Sequence, residues 1–112
     1  MMQDKPQEAI EEILEICRGL LDDSIPVVEG CRRLTSLRHQ VDTDRCDAFD
    51  TFIAVDSETD HLPFGEVRAQ CSSEWLETAD AQIGAAERLY REPVHKAADA
   101  LLRMLLTEVR NS

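Results

Sequence analysis

The chain has 112 residues, with 12 Lys or Arg against 23 Asp or Glu, and a formal net charge of -11. The length suits one domain with its own hydrophobic core. A surface of that charge repels nucleic acid phosphates, disfavours an anionic membrane surface, and suits a basic protein partner.

One Trp, one Tyr and three Phe leave the core to Leu, Ile, Val and Ala, as in helix bundles. The spacing of Ile10, Ile13, Leu14, Cys17, Leu20 and Leu21 predicts a first helix over 7–21, apolar on one face. Glu8, Glu11, Glu12 and Glu15 fall mostly on the other face, and Pro6 stands near its start, where a missing N–H costs nothing. A second helix is expected from about Ser24–Pro26 to Gln40, with Val27, Cys31, Leu34, Leu37 and Val41 as its seam. It is the basic part of the chain: residues 25–41 carry three Arg against one Glu.

Asp42, Thr43 and Asp44 are natural N-caps for a third helix, with Phe49, Phe52, Ile53 and Val55 inward. TFIAV has strand character, but no other run alternates with period two to pair with it, so it reads as helix. Pro63 and Gly65 then break the chain. Leu62, Phe64 and Val67 are expected to tuck this connection onto the core, with a short helical turn over 66–71. Ser72 and Ser73 cap a fourth helix over 74–91, with Trp75, Leu76, Ala79, Ile83, Ala86, Leu89 and Tyr90 inward. Pro93 is expected to break or kink it. A last helix over 94–109 carries Val94, Ala97, Ala98, Leu101, Leu102, Leu105, Leu106 and Val109. The expected fold is all-α, a single domain over 1–112 of four to five helices.

The N-terminus MMQDKPQEAIEEI lacks the basic start and apolar run of a signal peptide, and no apolar stretch is long enough to span a bilayer. The expectation is a cytoplasmic protein with reduced thiols. Cys17, Cys31, Cys46 and Cys71 are separated by 14, 15 and 25 residues, which matches no zinc-ligand spacing. They read as small apolar fillers.

The stretch Asp56 to Arg68, DSETDHLPFGEVR, concentrates the chemistry-bearing residues. Asp56, Glu58 and Asp60 open like a calcium loop, but His61 stands where that loop needs Gly and Val67 where it needs Glu. Convergence of His39 or His95 on these acids is not readable from spacing. The structural reading is a polar cluster of Asp56, Asp60, His61 and Arg68, its acids paired with Arg68, or with Arg32 and Arg38 of the second helix. Continued helically, Asp56 and Asp60 share a face and Glu58 points away. Glu58, with Glu12 and Glu15 of the first helix, is therefore a candidate contact for a basic partner.

Glu11, Glu12 and Glu15 read as EExxE, and Glu77 with Asp80 reads as ExxD. Similar acids hold magnesium in all-α nucleotide pyrophosphohydrolases, although there the two halves stand closer in sequence. Glutamates at this spacing are also an ordinary solvated helix face. A cysteine nucleophile is disfavoured, since no Cys–His signature occurs and Cys31 points away from the adjacent Arg32.

Val28-Glu29-Gly30-Cys31-Arg32, with Leu34, followed by Asp56 to Arg68, a Trp-bearing helix and a last apolar helix, resembles a family of small uncharacterised bacterial proteins. The resemblance spans most of 28–106 and implies no chemistry. Size, acidity and helical class are also similar in kind to those of toxin-immunity proteins. The expected function is a non-enzymatic acidic binding protein for a basic partner, without catalytic residue, metal or cofactor. The alternatives are a divalent-metal-dependent pyrophosphohydrolase-like enzyme and a structural domain.

Overall fold

A computed structural model describes residues 4–40, 47–63 and 65–111, with side chains over 8–38, 40, 47–63 and 66–107. Among the described residues there are four α-helices, α1 (Asp4–Leu21), α2 (Val27–Leu37), α3 (Ala48–Thr59) and α4 (Ser73–Asn111), with 3-10 turns at Arg38–Gln40 and Gly65–Gln70. No strand occurs among the described residues, so the fold is an all-α bundle. TFIAV is helical, inside α3. The expected caps at Asp42, Thr43 and Asp44, with Val41, Cys46 and Phe64, lie outside the described residues, as do the side chains of His39 and Val109.

The core joins all four helices. Ile13, Ile16, Cys17 and Leu20 of α1 meet Cys31 and Leu34 of α2, Phe52 of α3, and Val94, Ala98 and Leu101 of α4, all with essentially no exposure. Phe49 and Phe52 pack edge to face, with centroids 5.6 Å apart. α2 lies between α1 and α3, and α4 touches all three.

Two glycines set how closely α1 and α2 approach. A Cβ on Gly30 would stand 2.4 Å from Leu20 Cδ2, and one on Gly19 would stand 2.4 Å from Ile25 Cδ1. α1 closes on Asp23, which adopts left-handed backbone at φ 66°, a conformation Asp tolerates better than most residues. The Asp22 N–H then donates to Arg18 O and the Ile25 N–H to Gly19 O, each at 3.0 Å, which satisfies carbonyls left over at the helix end.

α4 differs from expectation in three ways. It runs unbroken through Pro93 over 39 residues, so the described residues form four helices. Pro93 is exposed; its missing N–H belongs to the bond with the Leu89 carbonyl, on a side open to water. Leu89, expected inward, is 68% exposed, and Leu106 is also exposed. Only residues from Tyr90 to Leu105 of α4 join the main core. Asp23, just past α1, sits against Arg91 and His95, so α1 runs antiparallel to that core half. The first half of α4 overhangs the α1–α2 turn. The overhang fits a radius of gyration of 15.0 Å, against about 13 Å for a compact chain of this length.

The segment after α3 lies along this overhang. Leu62 is buried at 2%, as expected, whereas Val67 is 57% exposed and does not tuck in. Ser72 caps α4 by accepting from the Trp75 N–H at 3.1 Å. Among the described residues no helix is long and apolar enough to cross a membrane.

Candidate functional site

The two stretches singled out in the sequence meet through Arg32. Its Nε lies 3.3 Å from Asp56 Oδ1. Its Nη2 donates to Thr59 O at 2.6 Å and its Nη1 to Leu62 O at 3.1 Å. A guanidinium has the fork to meet three acceptors at once. Thr59 ends α3 and Leu62 follows just beyond it, where the helix dipole is negative and α3 carries no basic residue of its own. On the same helix as Arg32, Gly30 allows the approach of Leu20 of α1, and Leu34 lies in the core.

The remaining residues of the stretch divide between structure and solvent. Arg68 does not reach Asp56 or Asp60. It pairs with Asp80 of α4 at 2.9 Å and donates to Pro63 O at 3.4 Å. His61 Nε2 is 2.9 Å from Gln82 Oε1, a bond its Nε2–H tautomer donates. Glu58, Asp60 and Glu66 are exposed, and none of their side chains forms an ion pair or hydrogen bond among the described residues; Val67 is exposed too, and its carbonyl accepts from the Cys71 thiol at 3.5 Å. The polar cluster is thus two clamps, Arg32 tying α2 to the end of α3 and Arg68 tying the connection to α4.

A third clamp had no signal in the sequence. Pro26 precedes α2 and offers no side-chain cap. Glu87, from the middle of α4, supplies one: the Val27 and Val28 N–H groups donate to its two carboxylate oxygens, each at 2.7 Å. A carboxylate on the first amides of a helix also meets the positive end of its dipole. Burial, helped by the carboxylates of Glu87 and Asp56, pushes the Cys31 thiol up to about 12. That thiol is therefore not a nucleophile at neutral pH. At the α1 exit, the Ser24 side chain and backbone N–H hold the Asp22 carboxyl below its usual range.

Glu12, Glu15 and Glu58 are all exposed, but they are not one patch. Glu12 faces α2, with Arg33 Nη2 at 3.8 Å. Glu58 faces α4, lining a hollow of about 180 Å³ with His61, Gln82, Leu89 and Tyr90. Glu15 stands with Glu12 on α1.

The acids of EExxE and ExxD are also apart. Glu77 precedes Arg91 by about 21 Å along α4, and Glu15 lies on the other side of that junction because α1 runs antiparallel. Asp80 is committed to Arg68. Among the described residues no three His, Cys, Asp or Glu gather where they can hold a metal ion.

A model of the family described as "Protein of unknown function (DUF2489)" matches residues 1–101. The chain belongs to the DUF2489 family. The matched span contains all three clamps and the hollow beside Leu89, so these features lie within the DUF2489 region. No curated protein and no solved structure matches the chain.

Proposed function

We propose that the protein is a non-enzymatic binding module whose acidic surface takes a basic protein partner. One observation carries this reading. Six of the nine cations with described side chains are held in ion pairs within the molecule, Arg32 on Asp56, Arg33 on Glu12, Arg68 on Asp80, Arg91 on Asp23, Lys96 on Glu92 and Arg103 on Asp99, which leaves only Arg18, Arg38 and Arg88 without one among the described residues. Glu11, Glu15, Glu58, Glu66, Glu74 and Glu77 are exposed without an ion pair among the described residues. The surplus charge is therefore negative and faces solvent, which speeds encounter with a positive surface and depends on salt. Neutralisation of a basic toxin, the role of an immunity protein, is one such function, supported by size, charge and helical class.

Cross-linking in the native cell, followed by mass spectrometry, identifies the partner for kinetic measurement. Because the acids occupy two seams, each seam needs its own variant. Glu12→Lys with Glu15→Lys reverses the α1 side, and Glu58→Lys reverses the α3–α4 side. At least one should slow association and flatten its salt dependence, with little change in stability, since exposed charges contribute little. Equal association rates and equal salt slopes for both would refute the reading.

A further inference from the structure

Leu89 is the most exposed large apolar side chain among the described residues, at 68%, and it stands mid-helix beside a hollow. The hollow has an apolar floor in Leu62 and Ala86, which are buried. Ala85, Leu89, Pro93 and Ala100 are all exposed and fall on one side of α4. Over about 22 Å they form an apolar stripe interrupted by the exposed Lys96, which pairs with Glu92 at 3.5 Å. Such a stripe, on a helix whose opposite side already packs, is the surface that a second amphipathic helix covers.

Two features define the chemistry of the occupant. Pro93 has no N–H to give the Leu89 carbonyl, so that carbonyl lacks its usual helical donor. The end of α3 is negative on this side as well. Arg32 neutralises Asp56 and the Thr59 carbonyl from the α2 side. Glu58 lines the hollow on the α4 side and Asp60 is exposed just beyond it, and neither has an ion pair among the described residues.

We propose that the hollow beside Leu89 docks an apolar side chain from a basic amphipathic helix of a partner protein, with a Lys or Arg of that helix on Glu58. The assignment rests on the binding-module reading above and gives it a site. Apolar contact at the centre supplies the affinity, and charge at the rim supplies orientation and rate.

The test uses the full chain and two synthetic Leu/Lys peptides of equal composition. One has its leucines on a single helical face, and the other is shuffled to remove that face. Titration followed by backbone NMR should show saturable shifts at Ala85, Leu89, Tyr90 and the last turn of α3 with the first peptide. The shuffled peptide should bind at least about tenfold more weakly. Leu89→Glu should weaken the first peptide at least about tenfold, and Leu89→Ala should weaken it less. Both variants should keep the wild-type circular dichroism, because the side chain is exposed. Glu58→Gln should reduce the salt dependence.

Equal binding of both peptides, unaffected by Leu89→Glu, overturns the docking site while leaving an acidic module that attracts cations generally. No binding of either peptide also overturns it, and the partner kinetics above then judge the wider reading alone. A self-association that Leu89→Glu abolishes in sedimentation equilibrium assigns the stripe to a second copy of the chain, and overturns it too.

Discussion

The two halves of α4 carry the same kind of apolar face and meet different fates. From Val94 to Leu105 the inward residues Val94, Ala98, Leu101 and Leu105 are exposed by 4% or less. From Trp75 to Leu89 only the small residues Ala79 and Ala86 are buried; Trp75, Leu76 and Ile83 are half-buried, and Leu89 is open. Periodicity says which side of a helix is apolar. It does not say whether another element is long enough to cover it. α1 has 18 residues and ends against Arg91, so it covers only the C-terminal half of α4. The connection after α3, held by Arg68 and His61, covers part of the rest.

The largest effect should come from cutting into the covered half. Leu101→Ala should destabilise by about 2–5 kcal/mol in a denaturant melt, because the leucine is fully buried and the cavity cannot fill with water. Next is the clamp that closes α3. Arg32→Lys keeps the charge but loses the fork to Asp56, Thr59 O and Leu62 O, and should cost about 1.5–3 kcal/mol.

Alkaline pH separates a covered thiol from an open one. The folded Cys31 titrates above its ordinary value of 9.0, so the stability it supports is intact below pH 9 and falls as pH rises toward about 12. The loss should reach about 1.4 kcal/mol at pH 10. Cys31→Ala should remove that part of the pH dependence, which melts at pH 8 and pH 10 will show. By the same contrast, alkylation mapped by mass spectrometry should label half-exposed Cys71 well before buried Cys31.

Glu87 stands at the boundary between the two halves. Glu87→Gln leaves one of the two α2 amides without a carboxylate oxygen and should cost about 1 kcal/mol, with faster hydrogen exchange at Val27 and Val28. The smallest effect belongs to the open half. Leu89→Ala should change stability by less than about 0.5 kcal/mol. A loss as large as that of Leu101→Ala would mean that the two halves are equally covered.

Some of this was written locally in the chain. Apolar spacing specified α1, α2 and α3 within a few residues, and Ser72 marked the start of α4. Arg32 was among the arginines named for pairing with the acids of Asp56 to Arg68, because opposite charges at helix ends leave a mark in composition. The all-α class followed from the same periodicities. Other features depended on the position of distant residues. The carboxylate that caps α2 comes from Glu87, about 60 residues away, and nothing near Pro26 announces it. Gly30 reads as a weak helix residue until Leu20 is seen against it. Pro93 reads as a break, yet its lost bond falls on a side facing water while Tyr90 and Val94 anchor the helix on the core side. The pattern of one segment determines its own conformation and its apolar face. The relative lengths of the helices and the closeness of their crossings decide which faces are covered, so the exposure of Leu89 and the split of the acids between two seams belong to the tertiary structure alone.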